Sequence, residues 1–289
     1  MAGLRVFAPA KINLTLHVTG QRADGYHLLD SLVVFADVGD VVHMRPASAW
    51  SVQVDGPEGH DVPAGDDNLV LRVARLFPDL GAALTLTKEL PVASGIGGGS
   101  ADAAAVWRGL CSMAGRPADA AQLLALGADI PVCVPSQGAR MQGIGEVVTP
   151  LDGLPDLHVV LANPRIAVST PQIFKALARK DNAPMPDRLP AFADAAAFCD
   201  WLATQRNDLQ AAAQAIAPQI TQTCAALSAL PDCLLARMSG SGATCFGVFA
   251  TAQAAADAAQ SLTAAQPQWW VRAGRLGTMQ VEAAPHPVS

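Results

Sequence analysis

The chemically richest segment of the chain is Leu90-Pro91-Val92-Ala93-Ser94-Gly95-Ile96-Gly97-Gly98-Gly99-Ser100, with four glycines in residues 95–99. Glycines remove Cβ crowding and let successive backbone N–H groups converge on an anion. The alanine-rich stretch that follows, to about Met113, has the composition of a helix starting near Ser100. Its unsatisfied first amides and positive dipole end would strengthen a phosphate site. The plainer alternative is a structural glycine turn, with Ser100 as an N-cap and Asp102 favouring the first helical turn. Two familiar phosphate loops fit poorly. A Walker A loop needs lysine where Gly99 is followed by Ser100. A dinucleotide fingerprint follows its strand directly, whereas Lys88, Glu89 and Pro91 intervene here.

Three further segments carry polar groups in apolar surroundings. Lys11, in Pro9-Ala10-Lys11-Ile12-Asn13, is the first lysine of the chain, and the next is Lys88. Its ammonium could neutralise a phosphate or a developing alkoxide, or simply reach solvent from a strand start. Asn13 can donate and accept, and Tyr26 and His27, closing the segment 20–27, offer rings to stack on a base and polar atoms to read its edge. A surface or structural histidine is the competing reading of His27. Asp129, in Gly127-Ala128-Asp129-Ile130-Pro131, is placed to orient or deprotonate a hydroxyl, or to end a helix. Ser239-Gly240-Ser241-Gly242-Ala243-Thr244 is a second glycine-rich bend, either a hairpin turn or a contact that brings the C-terminal half to the first loop.

The elements that must position these residues read as mixed helix and strand. Strand-like runs lie at 14–18, 32–36, 41–44, 50–54, 83–87, 130–134, 157–162, 234–238, 244–249 and 269–273, with 41–44 and 50–54 as a candidate pair. Helices are expected after Asp66, Asp67 and Asn68 up to Pro78, at 119–126, 171–178 and 192–204, in two pieces of 207–230 interrupted by Pro218, and at 252–265. Turn material at 150–155 suggests a boundary between residues 1–155 and 156–289. The 289 residues are 51% hydrophobic and 15% charged, enough apolar material for real cores. A formal charge of −6, with no basic block, argues against a nucleic-acid partner. No apolar run is long enough to span a bilayer, and Arg5, Lys11 and His17 interrupt the opening segment, so neither a membrane anchor nor a signal peptide is expected. Six dispersed cysteines without a CxxC pair suit free thiols in a reducing cytoplasm, and neither they nor the histidines form a zinc pattern.

Taken in order, residues 9–13, 20–27, 91–100, 127–131 and 239–244 resemble the GHMP small-molecule kinase superfamily, most of all its branch acting on a cytidine-diphosphate-containing alcohol. The likeness runs from Pro9 to the last alanine-rich stretch. It implies an α+β, two-lobed fold: an N-terminal α/β lobe and a C-terminal ferredoxin-like α/β lobe, with the substrates meeting in the cleft between them. It implies ATP as phosphoryl donor, with Mg2+, and the 2-hydroxyl of 4-diphosphocytidyl-2-C-methyl-D-erythritol as acceptor, in non-mevalonate isoprenoid precursor synthesis. By the same resemblance, Pro91 to Ser100 wrap the ATP phosphates and Asn68 sits near the nucleotide. Asn13, Tyr26, His27, Thr170 and Phe174 line the acceptor pocket, and Lys11 and Asp129 are the catalytic pair. One departure stands out. Many members carry paired serines after the first glycines of the loop, where this chain has Gly98 and Gly99, so a magnesium-binding serine does not carry over.

Overall fold

The computed structural model describes residues 3–63, 65–116 and 121–288. Residues 1–2 of the opening segment, and Asp119 at the start of an expected helix, lie outside them. The chain builds one mixed sheet around a long central strand. β1 (Gly3–Asn13) leads through a bend to β2 (His17–Gln21) and then to β3 (His27–Pro46), which pairs antiparallel with both. β4 (Ser51–Asp55) is followed by α1 (Leu69–Ala74), β5 (Ala82–Thr87), α2 (Gly98–Ala114), α3 (Ala121–Leu126) and α4 (Ile130–Cys133). After β6 (Ala139–Gly143) and β7 (Val147–Pro150) the chain passes to β8 (Leu157–Asn163), α5 (Thr170–Lys175), α6 (Ala195–Ala203), α7 (Gln210–Ile216) and α8 (Gln219–Ser228). It ends with β9 (Cys233–Met238), β10 (Cys245–Phe249), α9 (Ala252–Ala265), β11 (Trp270–Gly277) and β12 (His286–Val288). The main path of the sheet is β12-β1-β3-β11-β8-β10-β9, and β5 and β6 also pair with β3.

Burial explains the layers. In β1, Val6, Ala8, Ala10 and Ile12 are fully buried, and α2 buries Ala101, Ala104, Ala105 and Leu110 against the same core as Val42, Met44, Leu84 and Leu86. A second core fills the space between β8, β10 and helices α5, α7, α8 and α9 around Val160, Ile220, Met238 and Phe249. A third, containing Ile12, Leu32, Ile96, Leu161, Phe198 and Trp270, joins the two halves. Roughly 1.5–3 kcal/mol per fully buried large aliphatic or aromatic side chain makes these three clusters the main source of stability.

Several expectations need correction. The run 14–18 is not one strand, because the chain bends between β1 and β2, where Leu14 N–H donates to Leu32 O at 2.8 Å. Segments 32–36 and 41–44 are one strand, and 50–54 does not pair with 41–44: β4 lies parallel to β5, which itself pairs with β3. The β-branched run 130–134 is a short helix, with Pro131 in its first turn, a position where proline costs no hydrogen bond. The cysteines are free, but Cys224 and Cys245 are not dispersed, since their Sγ atoms lie 3.1 Å apart.

Candidate active site

Strand alternation sets the first two residues. Ala10, Ile12 and Leu14 point into the third core, which turns Lys11 and Asn13 to the opposite face. Lys11 is nearly buried, and its Nζ lies 2.7 Å from Asp129 Oδ1, whose side chain is 39% exposed. Asp129 occupies the N-cap position of α4, yet its carboxylate makes no capping bond, which leaves it for Lys11. The glycine-rich loop lies directly on Lys11: the Lys11 N–H donates to Ile96 O at 2.9 Å, and a Cβ on Gly97 would come within 3.1 Å of Lys11 Cβ.

The loop is held from the other side by the second glycine-rich bend. Ser239 Oγ donates to Gly95 O at 3.1 Å and accepts from Asn13 N at 3.1 Å, while Thr244 N donates to Ser94 O at 3.0 Å. Gly95 has φ 77°, and any Cβ there would meet backbone atoms of Ser239 and Gly242 at 2.6 Å. The bend therefore turns the β9–β10 hairpin and also locks the loop. Helix α2 begins at Gly98, with Gly97 in the N-cap position at φ 65°, so Ser100 is inside the first turn and is not the cap. Asp102 does not serve the first turn electrostatically. It is buried and accepts from Lys88 Nζ at 2.8 Å.

That ammonium forms a cluster sequence reasoning missed. Lys88 Nζ also bonds Asp40, whose other oxygen accepts from Glu89 N at 2.7 Å and Leu90 N at 2.9 Å. Burial alone would lower the Lys88 pKa, but Asp102 and Asp40 outweigh it and push it up to about 12. Burial holds the Asp102 carboxyl well above the usual carboxylate range against the pull of Lys88, and its Oδ1 has no partner. A lysine between a strand and a glycine loop reads as solvent-facing. Only the 48-residue return of β3 to its side reveals otherwise.

At the far end, His27 stacks on Phe174, with ring centroids 4.7 Å apart and 25° between planes. His27 Nε2 is buried without a hydrogen-bond partner, and burial, helped by the charge of Lys180, lowers its pKa below 6.5. Tyr26 stands 59% exposed at the rim. Thr170 Oγ1 shares a 2.7 Å hydrogen bond with Ser241 Oγ, which joins α5 to the second bend. Asn13 donates to Ser31 Oγ at 2.8 Å, and its Oδ1 is a second buried acceptor without a partner. Asn68 is the α1 cap: Oδ1 accepts from Val70 N at 2.9 Å and Nδ2 donates to Pro63 O at 2.6 Å.

Lys11, Asn13, Tyr26, His27, Asn68, Asp129, Thr170 and Phe174 all line one cavity of about 1030 Å³, together with the whole loop from Pro91 to Ser100 except Ile96. Ile96 turns its side chain into the third core and offers only its backbone. That volume is at the top of the range for a single small ligand, which suits a site for two substrates. The arrangement has a glycine-rich loop with a 17-residue helix behind it, an ammonium–carboxylate pair at its foot, and a ring pair with an open polar atom at its far end.

Comparison with known proteins agrees with this geometry. Residues 68–142 match the GHMP kinases N terminal domain and residues 188–268 the GHMP kinases C terminal model. A 4-diphosphocytidyl-2-C-methyl-D-erythritol kinase from Roseobacter denitrificans is 56% identical over 288 residues, which are 98% of this chain and 96% of the relative. The chain belongs to the 4-diphosphocytidyl-2-C-methyl-D-erythritol kinase family. The family member from Cereibacter sphaeroides is 58% identical over 272 residues, covering 93% of this chain and 98% of the relative. A crystal structure of 4-(cytidine 5'-diphospho)-2C-methyl-D-erythritol kinase superposes with TM-score 0.73 at 32% identity, covering 94% of this chain and 99% of that one. A homoserine kinase from Cytophaga hutchinsonii, at TM-score 0.67 and 16% identity, covers 100% of this chain and 98% of its own, and shares the fold alone. The two-lobed α+β architecture expected from the motifs is that of GHMP kinases. Among the described residues, no helix is long and apolar enough to cross a membrane.

Proposed function

We infer that this chain transfers the γ-phosphoryl group of ATP to the 2-hydroxyl of 4-diphosphocytidyl-2-C-methyl-D-erythritol, giving the 2-phosphate and ADP, a step of non-mevalonate isoprenoid precursor synthesis. The observation that carries this reading is the Lys11–Asp129 pair at 2.7 Å in a cavity bounded by the glycine-rich loop and by the His27–Phe174 stack. The backbone amides of Pro91 to Ser100 and the N-terminus of α2 hold the phosphates, and Asn68 borders the nucleotide. Ile96 takes part through its backbone alone. Asp129 orients the acceptor hydroxyl and takes its proton, while Lys11 offsets the negative charge that builds on the attacking and transferring oxygens. His27 and Phe174 hold the cytosine ring, with Tyr26, Thr170 and Asn13 completing the acceptor wall. The transfer is loose in character, so positioning contributes as much as proton removal.

Magnesium bound with the nucleotide would supply charge neutralisation and alignment of the phosphates. Magnesium that keeps several waters and the substrate phosphates needs few protein ligands, and Ser100, which lines the cavity at the loop, is among the side chains that could contribute one. The gap between the two family matches, residues 143–187, supports dividing the chain at 155/156, and the cytoplasm is the compartment this metabolic role suits. The test is direct. Purified protein with magnesium-ATP and this acceptor should release ADP only when acceptor is present, with one phosphorylated product, and homoserine or mevalonate should not replace it. ADP release without acceptor dependence, or equal use of those alcohols, overturns the reading.

A further inference from the structure

The cavity contains four lysines, and their charges are not equally committed. Lys11 is matched by Asp129, and Lys88 by Asp40 and Asp102. Lys175 is exposed in the last turn of α5, where a cation complements the carbonyl end of the helix. Lys180 is different. It is half-buried, lines the cavity and has no carboxylate partner among the described residues; its recorded polar contact is Nζ to Gln21 Oε1 at 3.3 Å. Its position is built. Asn182 donates to Val18 O of β2 through both its backbone N, at 3.0 Å, and its Nδ2, at 3.1 Å, which pins the segment bearing Lys180. Gln21 in turn donates to Gly25 O at 3.0 Å, so the ammonium is tied into the turn that presents Tyr26 and His27. The neighbouring charges Arg179 and Asp181 satisfy each other at 3.0 Å and leave Lys180 unmatched. Burial, and after it the charge of Lys180, disfavour the imidazolium form of His27.

We propose that Lys180 is a specificity-determining residue that binds the diphosphate of the acceptor. The proposal rests on the functional reading above. A cytidine diphosphate ester whose base lies on His27 and Phe174 carries its phosphates within a few bonds of that stack. Lys180 brings to this end a half-buried positive charge that no carboxylate among the described residues cancels; Lys175, next to Phe174, is likewise without one but stands exposed at the end of α5. A lysine acts on phosphate as a mobile point charge, so its contribution depends on ligand charge and falls with salt. Gln21 holds the ammonium when the site is empty, a weaker partner that a phosphate oxygen readily replaces.

The experiment measures competition by CDP and by cytidine against the acceptor at saturating magnesium-ATP, for the native protein, Lys180→Gln and Lys180→Arg. The native protein should bind CDP more tightly than cytidine. Lys180→Gln should weaken CDP about tenfold, corresponding to the ~1.4 kcal/mol expected of one such contact, and leave cytidine within about twofold. The difference should shrink at high salt, Lys180→Arg should recover most of it, and the KM for ATP should not move. Equal weakening of CDP and cytidine would assign Lys180 to shaping the turn and overturn the proposal, as would unchanged CDP binding. Failure of CDP to compete with acceptor in the native protein would instead overturn the functional reading.

Discussion

At the residue scale, the pair proposed to do the chemistry is legible because each member contradicts its neighbourhood. Lys11 interrupts an apolar strand and Asp129 precedes an apolar run, and the fold brings them to 2.7 Å across 118 positions. Asp129→Asn keeps the size and removes the carboxylate, so single-turnover transfer at saturating substrates should fall roughly 10²–10⁴-fold with both substrates still bound. A folded variant that transfers at the native rate would remove Asp129 from the mechanism. His27 gives a pH signature. Its pKa is lowered from 6.5 by burial and by Lys180, so it is neutral at and above that value. The KM for the acceptor should therefore be flat above about pH 6.5 and rise as pH falls through the depressed pKa, where imidazolium forms beside Lys180. His27→Gln should abolish that acid-side rise; a rise that persists in the variant would place the titration elsewhere. Lys88 was not legible, because its partners come from β3 and α2 and nothing within its own segment marks it as buried.

At the element scale, sequence reading located the loop and named two roles for the second glycine-rich bend, residues 239–244, and the structure gives it both. The helices with strong composition were found, α9 at its observed limits of Ala252–Ala265. β3 was read as two runs, 32–36 and 41–44, whereas Asp37, Gly39 and Asp40 between them lie in one 20-residue strand and Asp40 is buried under Lys88. β6 and β7 were missed: Ala139–Gly143 has no β-branched residue, and its strand character comes from pairing with β3. The lock between the two glycine-rich segments gives a contrast of substitutions. Gly95→Ala meets backbone at 2.6 Å in a left-handed conformation, so it should lower Tm by several degrees and raise the KM for ATP. Gly99→Ala has open space around its Cβ and sits in a helix, so its Tm should equal or exceed that of the native protein. Equal Tm losses for both would mean that the bend does not clamp the loop. Beneath them, Lys88→Met leaves two carboxylates buried without a cation and should cost about 3–5 kcal/mol in denaturant unfolding. Adding Asp102→Asn should recover part of that loss, and no recovery would mean that the charges are not what the lysine serves.

At the scale of the molecule, the two halves recognised by separate family models are joined by more than a linker. β11 pairs with both β3 and β8, so one sheet passes from residues of the first half to those of the second. Arg165 forms a bidentate pair with the buried Glu58 at 2.7 and 2.8 Å, and Arg140 does the same for Asp30 while donating to the carbonyls of Met185 and Pro186. Arg237 is buried without a carboxylate partner among the described residues; it donates to Leu14 O, Leu202 O and Gln205 O, and burial lowers its pKa to about 10. Removing such a donor strands three carbonyls from two segments, the bend after β1 and the end of α6, which is why these ties resist partial opening. None of this was readable from motifs, since each tie depends on partners 32 to 223 positions away. The consequence is a prediction about cooperativity. Trp50 and Trp107 report on the first half, and Trp201, Trp269 and Trp270 on the second. Halves that merely touched would unfold in two steps, because a chain of this length commonly does so. With a shared sheet and buried cross-ties, tryptophan fluorescence from variants retaining only one set should give the same denaturant midpoint as far-ultraviolet circular dichroism. Midpoints that separate would show the halves to be independently stable. In that case Arg237→Met should shift only the second-half midpoint, whereas in a single cooperative unit it lowers both together.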